Sequence, residues 1–319
     1  MSNVRDVARQ VSERASWMRI DTAAIDRWAD GIDPAEIIPA PMPAELIFKG
    51  KPAAAARWAL LVDCLNFFFW TPEGEPWTVE YRGRSWRRYP ALVAALRRAI
   101  DRDAGWLSPQ RWAGASADEL EEVFAGRGRI PMFEDRVRIL NETGRVLLSR
   151  FSGDVQNMAA QVDFAADRIA LLVCDAFDSF RDIHSYRGLA VPILKRAQIF
   201  ASDLADAMAR NGGPAVTNRE ALTAFADYRV PQILRHLEIL VLDSRLEQRI
   251  ETGDPIAASS EEEVELRACT IRAVELMVQA LSDRRGADKP AWMVDEYLWY
   301  HSHDAGVTNQ HHKTVTWYY

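Results

Sequence analysis

The amino-acid sequence predicts a mainly helical fold with one small β-hairpin. Three observations carry this prediction: helical spacing of hydrophobic residues along most of the chain, short groups of Gly and Pro between those stretches, and one stretch of strict alternation. The 319 residues are 48% hydrophobic and 27% charged, which is typical of a globular protein with a large core.

Ten segments show the helical pattern, with apolar residues three and four positions apart. After position 228, for example, Val230, Ile233, Leu234 and Leu237 define one buried helix face. The ten segments are 3–17, 52–69, 90–102, 116–124, 132–148, 163–177, 192–208, 228–242, 261–281 and 291–301.

The β-hairpin is predicted near residues 77–87. Aromatic and β-branched residues alternate in 77–81, the turn at 82–84 contains Gly83, and the alternation continues in 85–87. Helix-breaking residues group at 126–131, 211–214 and 253–255, and each group is short enough to be a loop within one domain. We therefore expect residues 1–319 to form a single folded unit; two closely packed helical lobes with a boundary near 126–131 are the alternative.

The net charge of −7 argues against a nucleic-acid partner, because tRNA or duplex DNA requires a basic surface. A small ligand with one phosphate stays compatible, since a few local cations suffice. No apolar run reaches the roughly 18 residues that span a bilayer, and no signal peptide opens the chain, so we expect no membrane partner. Three separated cysteines in apolar surroundings, Cys64, Cys174 and Cys269, predict buried thiols and a cytoplasmic location.

Asp227 is the first candidate site residue. It precedes an amphipathic helix that has Pro231 in its first turn, where a missing N–H is tolerated. Free amides and the helix dipole at such a position stabilise an ionised carboxylate. Asp227 is therefore either a simple helix cap or a fixed anion that faces a cleft and stabilises a sugar cation, and the local sequence leaves both interpretations open.

Lys195 is the second candidate, in the first turn of another predicted helix. A cation there opposes the helix dipole and calls for a compensating charge nearby. A lysine after a hairpin, followed some thirty residues later by an aspartate at a helix start, resembles the helix–hairpin–helix DNA glycosylases, in which such a pair flanks the sugar of a flipped nucleotide. This chain lacks their Gly-x-Gly in the hairpin, and a solvated surface lysine is the alternative interpretation.

A more specific resemblance rests on five segments in a fixed order. Together they resemble the queuosine salvage protein family, the queuosine 5′-phosphate N-glycosylases, from about residue 55 to the C-terminal Tyr318 and Tyr319. The resemblance implies hydrolysis of queuosine 5′-monophosphate to queuine and ribose 5-phosphate, and a DNA-glycosylase-like helical fold. The segments are VDCLNFFFW at 62–70, RILNETG at 138–144, LKRAQI at 194–199, FADYRVPQ at 225–232 and DEYLW at 295–299.

The resemblance also implies roles for single residues. Asp227 matches the catalytic aspartate, with Lys195 expected to tune it, and Phe225 matches the aromatic that stacks on the base. Asp295 and Glu296 match the motif that hydrogen-bonds the deazaguanine edge or the amine-bearing side group. Further substrate contacts are expected from Tyr228, Arg229, His301 and Tyr300, although the family often has an acid in place of Tyr300.

Glycosidic cleavage passes through an oxocarbenium-like state, which a carboxylate near the anomeric carbon stabilises. Asp227 is expected to stabilise this cation, to attack it covalently or to orient the water, and the sequence leaves the three roles open. Queuine is a 7-deazapurine without the usual N7, so an acid such as a protonated Asp295 must assist the leaving base in another way. Contacts to the 5′-phosphate are expected from Arg229, His301, His303, Lys313 or the 181–184 segment.

We expect no cofactor and no metal, because the histidine pairs at 301/303 and 311/312 have no HExxH motif or cysteine partner. Two other functions remain open from the sequence. One is a nucleosidase that acts on ordinary purine nucleotides, and the other is a non-catalytic nucleic-acid-binding module with a helix–hairpin–helix fold.

Overall fold

The computed structural model describes residues 1–71 and 75–319. The prediction of a mainly helical fold is confirmed. Within the described residues the α-helices are α1 (Ser2–Arg14), α2 (Thr22–Gly31), α3 (Pro52–Cys64), α4 (Arg88–Arg102), α5 (Pro109–Gly114), α6 (Ala117–Val123), α7 (Phe133–Phe151), α8 (Val155–Ala160), α9 (Ala166–Ala176), α10 (Lys195–Asn211), α11 (Arg229–His236), α12 (Ser244–Thr252), α13 (Glu261–Arg285) and α14 (Ala291–His301).

The predicted hairpin near 77–87 is present as two antiparallel strands, β2 (Thr78–Tyr81) and β3 (Arg84–Arg87), with Val79 opposite Trp86. Two more antiparallel pairs accompany it that the sequence did not predict. The strands are β1 (Met18–Ile20) with β6 (Leu240–Leu242), and β4 (Ile183–Tyr186) with β5 (Leu189–Pro192).

The β4–β5 hairpin turns at Arg187 and Gly188, which both have positive φ, at 46° and 82°. This is the geometry of a tight two-residue hairpin turn, and the Arg82–Gly83 turn of the first hairpin has it too. The β1–β6 pair joins strands that lie more than two hundred residues apart in the chain, so local alternation could not reveal it.

Several predicted helices have different ends in the structure; the helix expected to end at 281, for example, runs to Arg285. The helix expected over 52–69 ends at Cys64, and the chain turns at Phe68, whose φ is 49° and whose N–H donates to the Tyr319 carbonyl. The helix expected over 228–242 ends at His236, and residues 240–242 pair with β1 instead. The helix expected from 192 begins at Lys195, after Leu194 in the left-handed region. Four shorter helices, α2, α5, α8 and α12, were not predicted.

The helices that carry the site pack on one another: α10 lies against α3 and α9, while α11 lies against α13 and α14. A continuous cluster of buried hydrophobic side chains includes residues from both ends of the described chain. The cluster crosses the 126–131 loop, where the rings of Phe124 and Phe133 meet edge to face at 6.5 Å. This packing supports a single folded unit, which stays a prediction.

No helix in the described part of the chain is both long and apolar enough to cross a membrane.

Candidate active site

Asp227 lies two residues before α11 and is 4% exposed. Its Oδ1 accepts hydrogen bonds from the backbone N–H groups of Arg229, at 2.6 Å, and Val230, at 3.0 Å. The predicted position at the start of a helix is confirmed, and these two amides fix one oxygen of the carboxylate. Oδ2 accepts no hydrogen bond from a described residue, so it is the oxygen available to a ligand.

Lys195 is the first residue of α10 and is 6% exposed. Its backbone N–H donates to the carboxylate of Asp182 at 2.9 Å, and its ammonium makes no hydrogen bond within the described residues. Burial lowers the pKa of Lys195, while the negative charge of Asp227 acts in the opposite direction. The solvated surface lysine is therefore ruled out, and the two predicted catalytic residues are brought together.

Asp295 reaches the same place from α14. It is 3% exposed, and its Oδ1 accepts a hydrogen bond from the backbone N–H of Phe225 at 2.9 Å. Burial raises the pKa of Asp295 well above its usual range, and the charge of Asp227 raises it further. This environment favours the protonated carboxyl near neutral pH, so Asp295 is able to donate a hydrogen bond beside Asp227.

Glu296, the next residue on α14, belongs to a second group of acids. Its Oε2 accepts from the Ala40 N–H at 3.1 Å, and its Oε1 lies 3.8 Å from the guanidinium of Arg219. Burial raises the pKa of Glu296 to about 7 despite these partners. Glu296 is therefore not a solvated side chain on the helix surface.

Asp63 and Asp203 join Glu296 in this group, which we call the acidic group. Burial raises the pKa of Asp63 to about 7, and its Oδ2 has no hydrogen-bond partner among the described residues. Burial and the charges of Asp63 and Glu296 raise the pKa of Asp203 well above its usual range. All three acids also raise the pKa of Tyr89. The guanidinium of Arg219, beside Glu296, and the charges of Lys195 and Arg196, which act on Asp63, do not offset the effect of burial on these carboxyls.

Aromatic rings border the acidic group. The ring of Tyr89 lies 6.4 Å from that of Phe69 and 6.5 Å from that of Trp299, in both cases edge to face. Phe67 and Phe68 are buried in the core, whereas Phe69 and Trp70 are only partly buried. Phe225 is 5% exposed and lies two residues before Asp227.

Four basic side chains form a second group, which we call the cationic group. It contains Arg88, Arg229, His303 and His311. Burial and the charges of Arg229 and Arg88 lower the pKa of His311, to about 4, and also that of His303. Partial desolvation of the guanidinium and the charge of Arg229 lower the pKa of Arg88, although much of the residue is exposed. The ring of Tyr228 connects two of these side chains, since it lies 5.6 Å from the Arg229 guanidinium and 4.7 Å from the ring of His311.

Two members of this cationic group have unused donors. The Arg229 guanidinium donates to Gln232 at 2.9 Å, and its Nε is buried without a partner in the described chain. Arg88 is exposed at the junction of β3 and α4, where it has a positive φ of 56°. Donors and positive charge beside a bound sugar suit a phosphate.

Tyr228, predicted to contact substrate, lies beside the cationic group, with the Arg229 guanidinium 5.6 Å from its ring. Its ring is 4.7 Å from that of His311 and 6.4 Å from that of Tyr319. Burial and the charge of Asp227 raise the pKa of Tyr228 to about 12, so its hydroxyl stays protonated. It is placed to contact a ligand held by Asp227 and Arg229.

Tyr300 and His301 have other surroundings. Tyr300 is 44% exposed and its ring packs on that of His301. His301 pairs with Asp304 at 2.8 Å and lines a surface cavity of about 490 Å³ that contains none of Asp227, Lys195 and Asp295. The structure does not bring these two residues together with the catalytic pair, and their role in substrate binding stays a prediction.

The histidine pairs are used within the protein. His303 Nδ1 lies 3.0 Å from the Trp299 carbonyl, and His312 Nε2 lies 3.3 Å from the hydroxyl of Tyr319. In residues 1–71 and 75–319, no three His, Cys, Asp or Glu side chains are grouped closely enough to hold a metal ion.

Sequence reasoning missed Asp63, Asp203, Arg88 and His311. Arg88 follows the predicted hairpin and Asp203 lies on a predicted helix, but neither has a local pattern that separates it from a solvated residue. Asp63 carried a signal, because an aspartate inside an almost wholly apolar helix is rarely there without a function.

The chain is similar to known proteins along most of its length. Residues 46–319 match the family model described as queuosine salvage protein. A protein from Sphaerobacter thermophilus is 39% identical over 322 aligned residues, which cover 99% of this chain and 97% of that protein. One from Mus musculus is 32% identical over 92% of this chain and 91% of its own length, and one from Bos taurus is 31% identical over 82% and 79%.

All three relatives bear the name queuosine 5′-phosphate N-glycosylase/hydrolase. The family model covers well over half of the chain, and the Sphaerobacter protein aligns with nearly all of it. The chain therefore belongs to the queuosine salvage protein family.

Proposed function

We propose that this protein hydrolyses the N-glycosidic bond of queuosine 5′-monophosphate and releases queuine and ribose 5-phosphate for queuine salvage. The observation that carries the proposal is the position of Asp227: a buried carboxylate with one oxygen fixed by two backbone amides and the other free. The names of the relatives supply the substrate, and the surroundings of Asp227 supply a matching chemistry.

Asp227 acts on the ribose. As the glycosidic bond breaks, positive charge develops on the anomeric carbon and ring oxygen, and a fixed anion stabilises that charge more in the transition state than in the substrate. Because Oδ1 is held by the Arg229 and Val230 amides, the carboxylate needs no reorientation during the reaction. The buried ammonium of Lys195 is stabilised by the negative charge of Asp227, and we place it at the ribose hydroxyls.

Asp295 assists the departing base. Its raised pKa keeps a proton on the carboxyl, and the Phe225 N–H fixes one of its oxygens. A 7-deazapurine has no N7 to accept this proton, so Asp295 donates to another polar edge of the base and stabilises the negative charge that develops there. Phe225 stacks on the ring system.

The two ends of the substrate carry opposite charges, and so do the two sides of the site. The amine on the queuine side group is a cation, and the three carboxyls of the acidic group keep raised pKa values despite the charges of Lys195, Arg196 and Arg219. A cation there lowers the raised pKa values of all three carboxyls, and that release of free energy contributes to binding. An ordinary purine nucleotide has no such group.

The phosphate lies at the cationic group of Arg88, Arg229, His303 and His311. Arg229 is two residues from Asp227, so the same helix start places the anion beside the sugar and a cation beside its 5′ substituent. Contacts to the non-reacting phosphate hold the ribose against Asp227. His303 and His311 stay neutral at physiological pH and contribute N–H groups rather than charge.

The reaction needs water and no cofactor. The free, buried thiols of Cys64, Cys174 and Cys269 suit the cytoplasm, where disulfides are rare. The net charge of −7 favours a mononucleotide substrate over intact tRNA.

The direct test mixes purified protein with queuosine 5′-monophosphate and follows free queuine and ribose 5-phosphate by mass spectrometry. Guanosine 5′-monophosphate and adenosine 5′-monophosphate form the comparison panel. We expect release of queuine and at least about a hundredfold lower turnover of the two ordinary nucleotides, because they lack the group that the acidic residues bind. Equal turnover of guanosine 5′-monophosphate would replace the proposal with a general purine nucleosidase.

A further inference from the structure

Two residues outside the proposed reaction, Asp182 and Arg267, connect the backbone next to Asp227 with the backbone of Lys195. Arg267 lies in the middle of α13, and Asp182 immediately precedes β4. Both are almost completely buried, with side-chain exposures of 0% and 2%. They are 85 positions apart in the sequence.

Arg267 contacts the backbone next to Asp227. Its Nε donates to the carbonyl of Ala226 at 3.0 Å, and Ala226 is the residue directly before Asp227. The other arm of the same guanidinium forms a two-point contact with Asp182, with N···O distances of 2.8 and 2.6 Å. The guanidinium also lies 4.3 Å from the ring of Tyr319. A single planar group thus fixes a backbone carbonyl and a carboxylate together.

Asp182 contacts the backbone of Lys195. Its Oδ2, the oxygen that also faces Arg267, accepts the backbone N–H of Lys195 at 2.9 Å. Its Oδ1 lies 2.7 Å from Nε2 of His184, whose Nδ1 is 2.9 Å from the hydroxyl of Ser259. Although burial opposes ionisation, the charge of Arg267 holds the pKa of Asp182 below its usual range. The carboxylate is therefore anionic and fully hydrogen-bonded.

We propose that Asp182 and Arg267 are positioning residues that fix the separation between the Asp227 carboxylate and the Lys195 ammonium. The chain of contacts runs from the Ala226 carbonyl through Arg267 and Asp182 to the Lys195 amide, and every link is a hydrogen bond between buried groups. The inference rests on the proposed function, because it assigns Asp227 and Lys195 to the reaction.

A bidentate guanidinium is needed for this arrangement. Lysine at position 267 keeps the buried charge opposite Asp182, but one ammonium does not reproduce the planar fork that reaches Ala226 and both carboxylate oxygens. Asparagine at position 182 keeps an acceptor for the Lys195 amide and loses the charge that orients Arg267. Both changes therefore loosen the geometry without removing a group that touches the substrate.

The test compares Arg267→Lys and Asp182→Asn with wild-type protein, using queuosine 5′-monophosphate and working well below the melting temperature of each variant. Small displacements of reacting groups lower turnover by up to about a hundredfold. We expect kcat to fall by about ten- to a hundredfold while KM changes less than about twofold, since the groups that bind base and phosphate remain. Arg267→Lys keeps the buried ion pair and is the variant expected to fold in either case.

Glu265→Gln is the matched control. Glu265 is a fully buried carboxylate on the same helix, and it accepts from the Ser16 and Trp17 N–H groups and the Tyr186 hydroxyl rather than from the site. We expect a lower melting temperature for this variant and wild-type kcat.

The outcomes separate the two proposals. Wild-type kcat in Arg267→Lys, or a loss of kcat in Glu265→Gln as large as in the other two variants, would show that Asp182 and Arg267 only stabilise the fold. Absence of queuine release by the wild-type protein would instead overturn the proposed function itself.

Discussion

The carboxylate of Asp295 accepts a hydrogen bond from the backbone N–H of Phe225 at 2.9 Å, across 70 positions of sequence. This contact ties the C-terminal helix α14 to the segment that ends at Asp227. It also determines which Asp295 oxygen remains for a ligand, because Oδ1 is occupied. The proposed acid and the proposed anion are therefore held by one short piece of backbone.

Replacement of Asp227 by asparagine is expected to abolish most turnover and to leave the fold intact. The amide oxygen of Asn still accepts from the Arg229 and Val230 N–H groups, and Asn caps helices about as well as Asp. A neutral side chain does not stabilise the sugar cation, and loss of such an interaction costs about 2.7–4 kcal/mol, or a hundredfold or more in rate. The measurements are kcat for queuine release and the melting temperature. A near wild-type kcat would show that Asp227 serves only as a helix cap.

The 5′-phosphate is expected to contribute to kcat as well as to KM, through the cationic group. In wild-type protein, queuosine should therefore be a much poorer substrate than its 5′-monophosphate. Arg88→Gln should lower the ratio of kcat/KM for the nucleotide to kcat/KM for the nucleoside by about tenfold, because a charged contact to phosphate is lost. Arg87→Gln, at the exposed neighbouring position, is the control. Equal kcat/KM for nucleoside and nucleotide in wild-type protein would remove the phosphate site from the mechanism.

Glu296→Gln is expected to weaken recognition of the queuine amine. The variant keeps an oxygen for the Ala40 N–H but loses one charge of the acidic group. We expect kcat/KM for queuosine 5′-monophosphate to fall by about tenfold or more, and that for 7-deazaguanosine 5′-monophosphate, which lacks the amine, to stay unchanged. Asp175→Asn removes an exposed charge elsewhere and serves as the control. Parallel losses on both substrates would place Glu296 away from the amine.

Asp63→Asn is expected to stabilise the protein at alkaline pH. Burial raises the pKa of Asp63 from about 4 to about 7, so the folded state binds a proton that the unfolded state has released within this window. Stability from this residue is therefore full below about pH 4 and is lost as pH rises to about 7. The gain in melting temperature of the variant over wild type should be larger at pH 8 than at pH 5. A gain that is independent of pH would show that Asp63 is ionised throughout.

Intact tRNA that carries queuosine is expected to be neither bound tightly nor cleaved. A chain with a net charge of −7 repels a polyanion, and any residual binding by counterion release should vanish as salt is raised from about 50 to 200 mM. Queuine release and electrophoretic mobility shift at both salt concentrations provide the measurement. Release from tRNA at physiological salt, as fast as from the mononucleotide, would restore a nucleic-acid substrate.

Local patterns predicted the parts of the site that depend on neighbouring residues. Asp227 at a helix start and Lys195 in a first turn follow from helical periodicity and from the residues that precede it. The resemblance of five ordered segments added the substrate class, which no periodicity contains.

Local sequence patterns do not predict contacts between distant segments. The bonds from Asp295 to Phe225 and from Arg267 to Asp182 join residues 70 and 85 positions apart. Arg88 and Asp203 are single charged residues that look solvated until the fold brings others beside them. The β4–β5 hairpin could have been predicted, because its Arg187–Gly188 turn repeats the Arg–Gly pair in the turn of the β2–β3 hairpin.

The three residues that lead into α11 are each anchored to a different helix. The Phe225 N–H is bound by α14, the Ala226 carbonyl by α13, and the Asp227 side chain by the first amides of α11 itself. These three anchors prevent the tripeptide from shifting along the chain in either direction. Lengthening or shortening it by one residue would detach at least one anchor, whatever residue is inserted. Phe225 and Ala226 are held through backbone atoms, so at these two positions the fold tolerates a change of side chain better than a change in length.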